Sequence, residues 1–130
     1  MKLFGIGTDI VKINRLKKSI SKKPFLLRIF SEEEIIKCKR IKKKSNCLAK
    51  RFAAKEAFSK ALGTGISKGI NFNEIIVLNE KSGKPYIKLK NKTKKIVEKK
   101  LKKKIIGFLY LLLTKKIMLL HLLQFQYEKK

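Results

Sequence analysis

Apolar and polar positions change period several times along the chain. Leu3 to Val11 alternate loosely, with Ile6, Thr8, Ile10 and Val11. This predicts a strand, with Gly5 and Gly7 leaving room for close backbone approach. From Lys12 to Ser21 the period becomes helical: Ile13, Leu16 and Ile20 share a face, and Arg15, Lys17 and Lys18 stand around it. Pro24 starts a short segment, Phe25 to Phe30. Ser31 with Glu34 makes a capping box for a helix towards Ile41. Glu32, Glu33 and Glu34 suit the positive end of that helix, so they read as structural. The polar break at Lys42 to Asn46 precedes a central helix, Cys47 to Leu62, which Ser45 or Asn46 caps. Its buried stripe is Leu48, Phe52 and Leu62, with Ala49, Ala53, Ala57 and Ala61 allowing close packing. Gly63 and Gly65 end it.

Beyond a loop, Ile66 to Asn73, a second pattern begins. Ile75 to Leu78 and the stretch Tyr86, Ile87, Leu89 are strands joined by the Gly- and Pro-bearing turn Glu80 to Pro85. Asn91 or Thr93 caps a short helix to about Lys100. Ile105 to Leu123 is crowded with leucine but split by Lys115 and Lys116. It falls short of the ~20 apolar residues of a membrane span and reads as one or two buried strands or a core helix. With no repeat and no linker, 130 residues predict one α+β domain, a small antiparallel sheet packed with a long central helix.

Charge changes this picture in one respect. Lys+Arg number 35 against 9 Asp+Glu, a formal charge of +26. Arg15, Arg28, Arg40 and Arg51 are the only arginines, and Trp is absent. AT-rich codons produce such a lysine bias. A nucleic-acid surface favours Arg forks and stacked aromatics, and neither is prominent. The positive field steers anionic ligands towards the protein whatever its origin. Cys38 and Cys47 are too few for a zinc site and read as two reduced thiols of a cytoplasmic protein. The apolar run Leu3 to Ile6, soon interrupted by Asp9, is no signal peptide.

Two carboxylates lie outside any cap or turn, Asp9 and Glu56. Asp9, in an apolar strand, either faces water at an edge or has a partner. Glu56 and Lys60 stand four apart on one helix face. They make either a surface pair or, with Asp9, a Mg²⁺ site with a phosphate-contacting lysine. Two carboxylates with open water positions suit Mg²⁺.

Three motifs then carry a resemblance. Gly5-Ile6-Gly7-Thr8-Asp9-Ile10-Val11 is followed by Arg51-Phe52-Ala53-Ala54-Lys55-Glu56-Ala57 and Lys60-Ala61-Leu62-Gly63-Thr64-Gly65. Arg28 to Glu34 and the hairpin Gly83-Lys84-Pro85-Tyr86 fall in the same order. Over about residues 3 to 100 the chain resembles the holo-[acyl-carrier-protein] synthase family, the bacterial type of 4′-phosphopantetheinyl transferases. The resemblance implies that family's α+β fold and a homotrimer with active sites between subunits. It implies transfer of 4′-phosphopantetheine from coenzyme A to a serine of acyl carrier protein, with release of adenosine 3′,5′-bisphosphate, in support of fatty acid biosynthesis. By motif, Asp9 and Glu56 are the Mg²⁺ ligands, and with Lys60 they form the catalytic set. Arg51 and Lys60 contact coenzyme A phosphates, while Gly63, Thr64, Gly65 and Pro85 line the nucleotide pocket. Arg15, Lys18, Lys22 and Arg28 form a docking face for the acidic carrier protein.

Residues 105 to 130 diverge. The family closes on two strands with a pattern like His-x-Ser-Ile-Thr-His and then Tyr-Ala-x-Ala. Gly107 to Gln124 has neither, and His121 stands among leucines without a match. The three codons of Lys102, Lys103 and Lys104 suggest an adenine run at which the reading frame shifts.

Overall fold

Central helix α4, Lys44–Ala61, supplies most of the core. The computed structural model describes all residues except 1–6, 8, 66–67, 101–105, 116–117 and 128–130. Three short helices precede α4: α1 Ile13–Ile20, α2 Lys23–Ile29 and α3 Glu32–Lys39. A 3₁₀ turn, Phe72–Glu74, leads into strands β1 Ile75–Asn79 and β2 Pro85–Leu89. These pair antiparallel, with Ile75 opposite Leu89 and Asn79 opposite Pro85. Helix α5, Asn91–Lys100, follows, and β3 Ile106–Lys115 pairs antiparallel with β4 Met118–Tyr127. The α+β class holds, and the leucine-rich stretch is two strands rather than a helix. No helix among the described residues is long and apolar enough to cross a membrane.

Helix α4 packs on several sides because small residues keep its surface low. Ala49, Ala53, Ala54 and Ala57 are completely buried, as are Leu48 and Phe58. Leu48, Ala57 and Phe58 pack with Ile29, Phe30, Ile75 and Val77, while Ala49 and Ala53 face Leu16 and Val11 of the N-terminal segment. Two members of the buried set are basic. Arg51 is 5% exposed and Lys55 not at all. Neither adds charge to the surface of the helix. Phe52 of the predicted stripe is only half-buried.

Lys55 survives in the core because every donor of its ammonium is used. Nζ donates to Glu34 Oε2 at 2.8 Å, to Ile29 O at 2.9 Å and to Phe72 O at 2.7 Å. It also lies over the Phe30 ring. Burial lowers its pKa to about 8 although the Glu34 charge opposes the shift. Glu34 is equally occupied. Its Oε2 accepts from Ser31 N and Oγ in the predicted capping box, and its Oε1 accepts from Val77 N. Glu33 pairs with Lys90 of the segment after β2. The structural reading of Glu33 and Glu34 thus holds.

Four expectations need correction. The expected strand Leu3 to Val11 does not include Asp9–Val11, which carry no ladder; Leu3–Ile6 and Thr8 lie outside the described residues. Helix α4 starts before Ser45 and Asn46, because Cys47 N already bonds to Lys43 O, and Lys43 is an N-cap without side-chain bonding. Helix α5 is not capped by Asn91 or Thr93. Thr93 Oγ1 instead accepts from Asn71 N, and Glu74 Oε2 receives the Thr93 N–H at 2.8 Å. Cys38 and Cys47 are joined in a disulfide between the end of α3 and the start of α4. The fold brings their Cα atoms to 5.6 Å, inside the span of such a bond, which sequence spacing does not reveal.

Removing one partner of the buried pair leaves an uncompensated charge. Lys55→Met is expected to destabilise the fold by about 3–5 kcal/mol in urea unfolding. Glu74 is a milder case. Partial burial raises its pKa, but hydrogen bonds from Thr93, Asn71 and Asn91 outweigh this and hold the carboxyl below its ordinary value. A depressed carboxyl contributes stability that is present above its unfolded pKa and lost as pH falls through the folded one. Glu74→Ala is therefore expected to cost ~1 kcal/mol at neutral pH. The gap between the two proteins should close in melts taken as pH falls below the unfolded value of 4.5.

Candidate functional site

The site begins with a glycine. Gly7 is buried, and a Cβ there would sit 1.8 Å from the Ala57 carbonyl oxygen and 2.8 Å from the Ala61 nitrogen. Only hydrogen at this position lets the N-terminal segment lie on the backbone of α4, as expected for a close approach. Two residues on, Asp9 reaches the outward face of the helix. Its Oδ1 accepts from Lys60 Nζ at 2.6 Å. The Asp9 side chain is 14% exposed and that of Lys60 51%.

Glu56 stands one turn before Lys60 and is half-buried. Burial raises its pKa first, the Asp9 charge adds to this, and Lys60 opposes both. Two carboxylates are thus near enough to repel, and Lys60 offsets part of their charge. Asp9 and Glu56 line a cavity of about 520 Å³ with Lys12, Arg15, Phe25 and Phe52. Phe52, Glu56 and Lys60 follow at intervals of four, so one helix stripe supplies a wall, a carboxylate and an ammonium. Phe25 and Phe52 were not singled out as site residues from sequence. The spacing of Phe52 to Glu56 was the available signal; nothing local pointed to Phe25.

Arg51 does not join this cluster. Successive helix residues turn by about 100°, so Arg51 and Lys55 face the core while Phe52 and Glu56 face the cavity. Arg51 Nε donates to Val77 O at 3.1 Å, and its Nη1 donates to Cys47 O and Sγ. Its Nη2 lies 3.4 Å from Asn79 Oδ1. Asn79 is opposite Pro85 in the β1–β2 register, so Arg51 reaches the strand position that pairs with Pro85. Gly63 and Gly65 take positive φ after α4, and between them Thr64 is buried. The amides of Thr64 and Gly65 both donate to Ser59 O. Three groups of expected site residues therefore lie along one helix: its cavity face, its sheet face and its C-terminal loop.

Arg15, Lys18, Lys22 and Arg28 are all exposed. Arg15 lines the carboxylate cavity, and Arg28 stacks over Phe25 at 6.0 Å. Basic side chains therefore flank the acidic pair on α1 and α2. Among the described residues no group of three or more His, Cys, Asp or Glu is placed to hold a metal. A two-carboxylate site remains, and its repelling charges and adjoining cavity fit Mg²⁺, which keeps waters and takes substrate phosphates as further ligands.

Residues 5–108 match the family model of the 4′-phosphopantetheinyl transferase superfamily. The chain belongs to that superfamily. Within it, the chain is a member of the holo-[acyl-carrier-protein] synthase family. It is 50% identical over 102 residues to the holo-[acyl-carrier-protein] synthase of Pelagibacter ubique, covering 78% of this chain and 80% of that one. Among solved structures, the Neisseria meningitidis holo-[acyl-carrier-protein] synthase superposes with a TM-score of 0.84 at 31% identity, over 96% of this chain and 99% of that one. The Helicobacter pylori enzyme in complex with coenzyme A gives 0.75 at 31% identity, over 93% and 99%. The Neisseria likeness spans most of the chain, whereas the family model stops at residue 108, just inside β3.

Gly7 makes the positioning of the acidic pair testable. Gly7→Ala forces the segment off α4 and is expected to cost about 1–3 kcal/mol of stability. It should also separate Asp9 from Lys60, so thermal melts should fall together with any activity that needs the pair.

Proposed function

We propose that this synthase-family chain transfers 4′-phosphopantetheine from coenzyme A to a serine of acyl carrier protein, releasing adenosine 3′,5′-bisphosphate. The observation that carries the reading is the Asp9–Lys60–Glu56 cluster at the mouth of a cavity flanked by arginine and lysine. Asp9 and Glu56 would hold Mg²⁺, which when bound supplies positive charge to the pyrophosphate oxygens. Lys60 is half exposed and set against the acidic pair, so its ammonium can donate to a phosphate oxygen where negative charge develops. The carrier serine hydroxyl attacks the phosphorus that bears pantetheine, and the bond to the adenosine-side phosphate breaks. The serine proton passes to Asp9 or to a water beside it. Arg15, Lys18, Lys22 and Arg28 attract and orient the acidic carrier protein.

The remaining contacts belong to the nucleotide half of coenzyme A: Arg51, Pro85 and the Gly63–Thr64–Gly65 loop. The family resemblance supports a homotrimer in which neighbouring subunits complete each site. The reaction places the protein in the cytoplasm, in fatty acid biosynthesis. For residues 105–130 we propose a frame shift near Lys102–Lys104. Translating the gene in its other two frames should reveal the family's closing strands; their absence from both would end that idea.

The transfer is tested by mass spectrometry of apo carrier protein after incubation with the protein, coenzyme A and Mg²⁺. A phosphopantetheine mass gain is expected, abolished by a chelator. Asp9→Asn and Glu56→Gln should each lower kcat by at least ~10²-fold, and Lys60→Ala by a similar factor. No mass gain at high enzyme concentration would overturn the reading.

A further inference from the structure

The Cys38–Cys47 bond closes a loop whose charge is wholly basic. Between the two cysteines stand Lys39, Arg40, Lys42, Lys43 and Lys44, all exposed. Cys38 is completely buried at the end of α3, and Cys47 is 5% exposed in the first turn of α4. Cys47 Sγ accepts from Arg51 Nη1 at 3.0 Å. Two features therefore favour negative charge on this sulfur: the guanidinium and the helix N-terminus. A sulfur so placed is a good leaving group in thiol–disulfide exchange.

We infer that the Cys38–Cys47 disulfide is a thiol–disulfide exchange site that sets how the basic loop and Arg51 are held. The co-reactant is a dithiol reductant. Its first thiolate attacks Cys38 Sγ, the S–S bond breaks, and Cys47 departs as a thiolate beside Arg51. The reductant's second thiol then displaces Cys38, which leaves as a thiol. The reductant ends as its own disulfide, and one proton goes to solvent. Cys38 is buried, so the attack requires the turn 40–43, itself exposed throughout, to open first.

Each state has a distinct consequence. In the oxidised form Arg51 shares its Nη1 with a neutral sulfur and a carbonyl, and the lysines are tethered next to it. In the reduced form the Cys47 thiolate takes Arg51 into an ion pair and the tether is gone. On the proposed function, to which this point is tied, Arg51 contacts a coenzyme A phosphate. Reduction should then weaken coenzyme A binding and leave the distant Asp9–Glu56–Lys60 chemistry intact.

The experiment compares oxidised protein with protein held in dithiothreitol, the thiol state being verified by alkylation and mass spectrometry after each assay. KM for coenzyme A is expected to rise about tenfold on reduction, the loss of one hydrogen bond to a charged group, at unchanged kcat. Trypsin should cut within residues 39–44 several-fold faster in the reduced form, a readout that needs no activity. Cys38→Ala, which keeps the Cys47 thiol without the tether, should match the reduced form and ignore dithiothreitol. Equal trypsin cleavage of the two forms overturns the site, as does a KM that does not move while transfer proceeds. Transfer by neither form would instead overturn the proposed function and leave trypsin to decide the exchange site.

Discussion

The Glu34–Lys55 ion pair joins more of this molecule than any other contact described above. Through Lys55 it holds the last carbonyl of α2 and that of Phe72 before β1. Through Glu34 it caps α3 and satisfies the Val77 amide in β1. Four segments thus converge on α4 through two side chains. Such a pair is costly to desolvate, and here the cost is met because the ammonium's three donors and both carboxylate oxygens all have partners. The result orients α4 about its own axis.

That orientation decides the chemistry of the neighbouring residue. Lys55 and Glu56 are adjacent, so about 100° of helix turn separates them. With Lys55 locked inward, Glu56 must face the cavity, and Lys60 follows one turn later. Gly7 then closes the site from the other side by bringing Asp9 onto the same face. A core ion pair and a missing Cβ together create a place where two carboxylates meet one ammonium.

Local features were legible in the chain. The Ser31–Glu34 capping box, the hairpin around Gly83 and Pro85, and the glycine stop after α4 are local patterns, and local geometry satisfies them. The contact of Gly7 with α4 was legible only as permission, since a glycine allows an approach without saying what approaches. Pairings across long separations were not legible. Glu74 capping α5, Lys55 paired with Glu34 and Cys38 bonded to Cys47 each join residues whose neighbours in sequence say nothing of the partner. The burial of Arg51 and Lys55 was not legible either, because composition does not record which way a helix is turned.

By itself, therefore, the sequence determined the helices around α4, the β1–β2 hairpin and the family-like motifs that single out Asp9, Glu56 and Lys60, but not the conformation of Asp9–Val11. Backbone hydrogen bonding and side-chain periodicity act over a few residues, and those are what a sequence displays. Tertiary structure alone decided that Asp9 and Lys60 pair across 51 residues, that Arg51 turns to the sheet and away from Glu56, and that the two thiols meet. These depend on which faces of the helices pack together, and burial energy settles that over the whole molecule at once.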